Sequence, residues 1–271
     1  MALDIVIKNG KIVDGSGNPW FKADIGVKEG KIAEISRVPI PGGDIVIDAK
    51  GLVICPGFFD LHSHSDNTIL ANNRCENFLH MGLITMAAGQ CGGSVWPKSR
   101  EGTFSTLAEF REACEKKGIA ANLVPQVGHG TIRTIVMGAE GKGGERFEPT
   151  EEEMNKMKIL VEESMKDGCF GLTTGLRYPP GRNAFTDEVI ELTKVVAKYG
   201  GYYISHMRSE EDAVIEACRE LIEICEKAGV RGCYSHHKAM FPENWGKPSE
   251  TMRLIDRARE KGIEIYCDQY C

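Results

Sequence analysis

The chain has 271 residues, 42% hydrophobic and 27% charged, with a formal net charge of −6; it is long enough for one large α/β domain or two smaller ones. An acidic balance without a basic stripe argues against nucleic acid or an anionic membrane as partner, and no apolar run reaches the length of a membrane span. The N-terminus lacks the basic start and apolar core of a secretion signal, and the ten cysteines lie mostly in strand or helix patterns with no Cys-x-x-Cys pair, so reduced thiols and a cytoplasmic address are expected.

Residues 2–54 read as short strands and tight turns. Leu3-Asp4-Ile5-Val6-Ile7-Lys8 precedes Asn9-Gly10, a strong hairpin signal. Lys11-Ile12-Val13 follows, then a loop by composition at Asp14-Gly15-Ser16-Gly17-Asn18-Pro19. A second hairpin is expected from residues 23–28, the turn Glu29-Gly30 and residues 31–35. Ile45-Val46-Ile47-Asp48 and Leu52-Val53-Ile54 complete a small β module over residues 1–55, whose faces need cover from elsewhere. Cys55-Pro56-Gly57 marks the boundary with a second domain, residues 56–271.

From there the pattern becomes strand, loop, helix, repeated. Strand-like runs recur at 57–62, 83–88, 119–126, 169–173, 202–206, 231–236 and 263–268. Thr150-Glu151-Glu152-Glu153 is a capping box, in which the threonine hydroxyl and a glutamate satisfy free backbone amides reciprocally. Thr186-Asp187-Glu188 and Ser209-Glu210-Glu211-Asp212 are expected to open helices with a cap and an acidic first turn. Gly118, Gly168, Gly200, Gly229 and Gly262 are expected to close them. Such alternation means a parallel sheet, and about seven strands in one series favour a barrel. No Gly-x-Gly-x-x-Gly follows the first strand and no Gly-Lys-Ser/Thr loop occurs, so nucleotide-binding folds lose support.

In a parallel barrel the chemistry collects where strands end. The run Gly57-Phe58-Phe59-Asp60-Leu61-His62-Ser63-His64 carries two histidines one residue apart, which in a strand point to the same face. The second strand runs into Gly89-Gln90-Cys91-Gly92-Gly93, a cysteine bracketed by glycines that permit close approach. The fifth strand ends at His206, and the sixth at His236-His237-Lys238. Imidazole and thiolate are first-choice zinc ligands, and their recurrence at one end of successive strands points to a metal centre built from His62, His64, Cys91, His206 and either His236 or His237. Strand alternation separates His236 from His237 but leaves open which faces inward.

These residues resemble the amidohydrolase superfamily, and specifically the D-aminoacylase (N-acyl-D-amino-acid deacylase) family. The resemblance runs through the opening Asp4-Ile5-Val6-Ile7-Lys8-Asn9-Gly10 and Pro56-Gly57-Phe58-Phe59-Asp60-Leu61-His62-Ser63-His64 to Gly89-Gln90-Cys91-Gly92 and Val127-Gly128-His129-Gly130. It continues in Tyr178-Pro179-Pro180-Gly181, Ser205-His206-Met207-Arg208 and Ser235-His236-His237-Lys238. The cysteine is the specific feature, because most relatives use a carboxylated lysine on the fourth strand, and none stands there in this chain. The resemblance implies an amidohydrolase-type (β/α)8 TIM barrel, incomplete here at about seven strands, with a small N-terminal β-sandwich module. It also implies Zn2+ held tightly by Cys91, His206 and His236, with a second, weaker position at His62, His64 and the bridging Cys91. Tyr178, His129 and Arg208 are the implied substrate-binding residues.

The activity implied is hydrolysis of the amide of an N-acyl-D-amino acid, a small-molecule substrate. Zinc would polarise the carbonyl and lower the pKa of a bound water toward ~7, and a carboxylate would move the proton. In the family that carboxylate is an aspartate at the end of the eighth strand, beyond Cys271. Asp60, Asp66 and Asp268 are the carboxylates at hand, with Asp268 the conceivable stand-in. A complementing chain or a C-terminal segment is therefore expected as partner. The alternatives are a cyclic-amide (dihydroorotase- or hydantoinase-like) or dipeptide hydrolase, and a metal-binding but catalytically silent fragment or assembly subunit.

Overall fold

The computed structural model describes residues 2–98, 103–138 and 147–270. The chain divides into two compact units, Met1–Phe58 and Phe59–Cys271.

In the first unit, β1 (Ile5–Ile12), β2 (Phe21–Lys28), β3 (Lys31–Ser36), β4 (Ile45–Asp48) and β5 (Val53–Ile54) form one five-stranded sheet in the order β3-β2-β1-β4, with β5 also on β1. The residues described here thus supply one layer of the expected sandwich. The hairpin expected at Asn9-Gly10 is replaced by a bulge within a continuous β1, whose pairing with β2 shifts register between Ile7 and Gly10. Asn9 takes the left-handed conformation there, at φ 63°. Its amide donates to Asp24 Oδ1 at 2.9 Å and its side chain to Asp48 Oδ1 at 2.8 Å. Two long-range acceptors thereby hold the dipeptide in place, and the turn propensity is spent on a bulge. Glu29-Gly30 does form the expected turn between β2 and β3. Ile45, Val46 and Ile47 on β4 are all exposed, so neither face of that strand is covered within its unit.

The second unit carries, in order, β6 (Phe58–Asp60), α1 (Glu76–Leu79), β7 (Leu83–Ala88), α2 (Leu107–Lys117), β8 (Asn122–Pro125), β9 (Val127–Gly128), α3 (His129–Met137), α4 (Glu151–Lys166) and β10 (Gly171–Gly175). There follow α5 (Thr186–Ala197), β11 (Tyr202–His206), α6 (Val214–Ala228), β12 (Arg231–Tyr234), α7 (Pro248–Glu260) and β13 (Ile265–Cys267). The strands run in the orders β6-β7-β8 and β9-β10-β11-β12-β13. The observed pairings are parallel: β7 with β8, β9 with β10, β10 with β11, β11 with β12 and β12 with β13. The run read as one strand at 119–126 is split around Gln126, with β8 serving β7 and β9 serving β10.

The helices bury regular stripes. Along α6, Ala217, Cys218, Leu221, Ile224 and Cys225 are buried at three- and four-residue spacing, the periodicity of one helix face. The described cysteines are all free, and those at 114, 218 and 225 pack as small hydrophobes. Left-handed Gly118 and Gly229 close α2 and α6, and the capping box at Thr150 and Glu153 opens α4. Two helix starts differ from expectation. Thr186 is the first residue of α5 and caps nothing; its hydroxyl donates to Glu220 at 2.8 Å. The Ser209–Asp212 segment is a bend, and α6 begins only at Val214, because Glu210 is drawn into a buried cluster at the strand ends. Among the described residues no helix is long and apolar enough to cross a membrane.

Candidate metal centre

Cys91 sits where β7 gives way to a glycine-rich loop packed against two neighbouring strands. Its own φ is 53°, with Gly89 at 82° and Gly92 at 76°, so the loop needs three consecutive-neighbourhood residues in the left-handed region. The loop also lies directly on backbone. A Cβ on Gly175 would come 2.3 Å from the Cys91 carbonyl oxygen, and one on Gly128 would come 2.5 Å from that of Gly92. Thr173, on β10, ties the loop down by accepting from the Gly92 amide at 3.2 Å and donating to the Gly89 carbonyl at 2.5 Å. The thiol is therefore fixed by close backbone packing that only glycines allow.

Three imidazoles face the sulfur. Cys91 Sγ lies 3.3 Å from His62 Nε2, 3.6 Å from His206 Nδ1 and 3.9 Å from His236 Nε2. His64 completes a second group, so that His62, His64 and Cys91 on one side and Cys91, His206 and His236 on the other could each hold a metal ion. His206 ends β11 as the sequence predicts. His62 and His64 lie beyond the end of β6 at Asp60, so a bend turns them to the sulfur where strand alternation was expected to do so. His236 likewise follows the end of β12 and is left-handed at φ 39°. His237 points elsewhere: its Nε2 meets Thr251 Oγ1 of α7 at 2.8 Å and its ring packs on Tyr234.

The donor set fits zinc. Bonds of about 2.3 Å to sulfur and about 2.0–2.1 Å to nitrogen at tetrahedral angles give S···N edges of about 3.5 Å, and the observed separations bracket that. The chemistry is also right for a cation, because burial would raise the Cys91 thiol, yet His206, His236, His62 and His64 outweigh it and bring its pKa down to about 2. Burial opposes charge on His62 too, but Asp268 and Cys91 carry its pKa up to about 9. His206 Nε2 is buried without a hydrogen-bond partner.

Buried carboxylates stand behind the imidazoles. Asp268 Oδ2 is 3.2 Å from His62 Nδ1, while Oδ1 accepts from the His236 amide. Glu210 Oε1 is 2.7 Å from His236 Nδ1 and 2.5 Å from Lys238 Nζ. Asp268 therefore has both oxygens engaged, as an orienter of two ligand-bearing segments. Asp60 accepts from the His62 amide at 3.0 Å. Asp66 is buried, which raises its pKa, and accepts from the Gly89 amide at 3.2 Å. Neither Glu210 nor Lys238 stood out as a site residue in the sequence; Lys238, two positions after His236, was the nearest to a signal.

A cavity of about 600 Å³ opens beside the centre, lined by His64, Cys91, Asn67, Thr131, Thr134 and Tyr178 among others. The Tyr178 ring lies 4.6 Å from that of His206. His129 and Arg208 do not reach the cysteine cluster. His129 is buried and joins Arg133 on Glu188, at 2.8 and 3.0 Å, while Arg133 Nη1 donates to the Pro180 carbonyl at 3.3 Å. Arg208 spends its donors on Glu220 and on the carbonyls of Arg182 and Ala184, at 3.0 and 2.9 Å. Arg133 and Arg208 thus brace the loop that carries Tyr178, at carbonyls on its C-terminal side, and His129 shares the Glu188 carboxylate with Arg133.

No model of a known protein family matches the chain. Among curated proteins it is 34% identical to a D-aminoacylase of Alcaligenes xylosoxydans xylosoxydans, over 98% of this chain and 57% of that one. From the same organism, an N-acyl-D-glutamate deacylase is 32% identical over 99% of this chain and 57% of its own length. Among solved structures, the N-acyl-D-glutamate deacylase of Bordetella bronchiseptica, complexed with zinc and a phosphonate mimic of the reaction's tetrahedral intermediate, matches with a TM-score of 0.93 and 32% identity. That match covers 100% of this chain and 59% of the other. An L-hydantoinase from Arthrobacter aurescens, at 18% identity and a TM-score of 0.67, shares the fold. The chain spans a little over half the length of the curated relatives it matches, and across that span it belongs to the D-aminoacylase (N-acyl-D-amino-acid deacylase) family of the amidohydrolase superfamily.

Proposed function

We propose that this chain carries the metal centre of a zinc-dependent hydrolase that cleaves the amide bond of N-acyl-D-amino acids to a carboxylate and a free D-amino acid. The observation that carries the reading is the half-buried thiol of Cys91 faced by His62, His206 and His236 at 3.3–3.9 Å. Cys91, His206 and His236 would hold the tightly bound ion, and His62, His64 and Cys91 a weaker second one. A zinc ion held there supplies Lewis-acid polarisation of the scissile carbonyl and a nucleophilic water at neutral pH.

The protein's own groups do the rest. Cys91 contributes negative charge in a cleft walled by imidazoles, and the carboxylates behind them fix ring orientation. Tyr178 sits between His206 and the cavity, where its ring limits how a substrate lies across the centre. Apart from the Cys91 thiolate, the cavity's named lining offers no arginine or lysine to pair a carboxylate, which suits the uncharged acyl group better. Arg208 would act on the substrate through the Tyr178 loop it braces, and His129 through the Glu188 carboxylate it shares with Arg133, which holds the same loop. Asp268 has both oxygens engaged, by His62 and the His236 amide, and Asp60 and Asp66 each accept a backbone amide of the site's framework. The reading assigns the proton transfer to a carboxylate outside residues 1–271, on a C-terminal segment or a complementing chain.

The test compares zinc-loaded chain alone with chain extended through the segment that matches the relatives' eighth strand. Substrates are N-acetyl-D-leucine, -glutamate and -aspartate, with a hydantoin and a dipeptide as controls. The extended form should release D-amino acids and the short form should bind zinc without comparable turnover. Turnover of the cyclic imide alone would replace the reading with a cyclic-amide hydrolase. Zinc binding with no turnover by either form would support a silent metal-binding subunit.

A further inference from the structure

Glu210 lies in the bend between β11 and α6, four residues after His206, and is 3% exposed. Its Oε1 is 2.7 Å from His236 Nδ1, 2.5 Å from Lys238 Nζ and 3.9 Å from His206 Nε2. Its carbonyl accepts from the Met240 amide at 2.7 Å. One residue thus pins the loop after β12 to the loop after β11, by side chain and by backbone. These are the two loops that continue from His236 and His206.

The two imidazoles face the sulfur with different nitrogens, His206 with Nδ1 and His236 with Nε2. A neutral imidazole carries a single N–H, and a metal takes the other nitrogen, so the hydrogen-bond acceptor behind each ring selects the tautomer. For His236 the nitrogen turned away from Cys91 is Nδ1, and for His206 it is Nε2, which has no hydrogen-bond partner. The same carboxylate lies behind both. Lys238 also approaches His236 Nδ1, at 2.9 Å. That nitrogen cannot donate to Glu210 and accept from Lys238 at once, and with Nε2 committed to a cation Nδ1 keeps its proton and donates to Glu210. Lys238 then neutralises the carboxylate to which His236 donates.

We propose that Glu210 is the positioning residue of the tight metal site: a buried carboxylate that accepts from His236 Nδ1 and so holds that ring with its Nε2 lone pair turned to the ion beside Cys91, while its negative charge stands 3.9 Å from His206 Nε2. The inference rests on the metal-centre reading above. Glu210 is not itself a ligand; it acts through the His236 ring and the loop contacts it makes. Removing such an outer partner typically weakens metal binding about 10–100-fold.

The experiment measures zinc affinity of the wild-type chain, Glu210→Gln and Glu210→Ala by competition with a chromogenic chelator. The absorption bands of the Co2+-loaded forms and the thermal midpoints with and without zinc are recorded alongside. Glu210→Gln, which keeps an acceptor oxygen, should lose about tenfold in affinity, and Glu210→Ala nearer a hundredfold. Both should shift the cobalt bands, and the zinc-induced rise in midpoint should shrink. A residue that merely supported the fold would lower the zinc-free midpoint and leave affinity and cobalt spectrum as in wild type; that result overturns the proposal. Should the alanine variant not fold, the glutamine variant decides alone by the same criteria. Failure of the wild type itself to bind zinc would overturn the metal-centre reading and this inference with it, whereas unchanged variants beside a zinc-binding wild type overturn the inference only.

Discussion

Replacing Cys91 with alanine tests the centre at the one atom both metal groups share. The sulfur is within 3.9 Å of three imidazoles, and without it His62 with His64 and His206 with His236 are left as separate histidine pairs. Apparent zinc-binding energies of about 10–16 kcal/mol, spread over four ligands, average about 2.5–4 kcal/mol per ligand. Each 1.4 kcal/mol is about a factor of ten, so the loss should reach about two to three orders of magnitude in zinc affinity. The side chain being removed is small and sits in a loop held by its own backbone packing, so the zinc-free variant should melt close to wild type. The assay is chelator competition, backed by elemental analysis after gel filtration and by calorimetric melting of zinc-free protein. Retention of wild-type zinc affinity by Cys91→Ala would refute the reasoning outright. So would an equal affinity loss in a variant that has simply unfolded.

Other substitutions divide the site into its parts. His64→Ala should abolish a second equivalent of metal while sparing the first, whereas His206→Ala should remove the first; metal titration followed by elemental analysis separates them. Gly175→Ala puts a Cβ 2.3 Å from the Cys91 carbonyl oxygen and should lower both zinc affinity and thermal midpoint, while Gly42→Ala, with nothing within 4 Å, should change neither. Glu188→Gln leaves the buried Arg133 without its counter-charge and should cost about 3–5 kcal/mol at neutral pH by urea unfolding of the zinc-free chain. Burial pushes the Glu188 carboxyl up, but His129 and Arg133 outweigh it and hold it below its ordinary value of 4.5. Its stabilisation is therefore complete above the unfolded value and lost as pH falls through the lower folded one, so the gap between wild type and variant should narrow below pH 4.5; a gap independent of pH would contradict the ion-pair account.

Much of the second unit was legible because its elements obey local rules. The capping box at Thr150 satisfies amides only three residues away, and the α6 stripe repeats at helix spacing, so both can be read without knowing what they pack against. Cys91 and His206 were legible for a related reason, since in a parallel αβ series the chemistry gathers at the strand ends, whereas His236 was told from its neighbour His237 only by the family resemblance. The reading failed where a distant partner outbids the local signal. Asn9-Gly10 has the composition of a turn, yet Asp24 and Asp48 hold Asn9 in a bulge within a longer strand. Ser209-Glu210-Glu211-Asp212 has the composition of a helix start, yet Ser209 accepts only the Glu211 amide, at 3.2 Å, and the helix waits until Val214.

Around the centre the departures share a direction. β6 stops before His62, β12 stops before His236 and α6 starts after Glu210, so each element is shorter at the mouth than its local sequence favours. Every truncation frees a side chain from the periodicity of its element: His62 and His64 from strand alternation, His236 into φ 39°, and Glu210 from an exposed first helical turn into burial. The bend at Ser209–Asp212 is what places the Glu210 carboxylate behind rings carried by two different strands. Irregular backbone of this kind persists only where other contacts over-determine it. Here Asp268 on the His236 amide, Glu210 on the Lys238 ammonium and the Met240 amide, and Thr173 on the Cys91 loop supply them. Local sequence rules mislead at this mouth because its backbone is set by partners drawn from four different strands' ends.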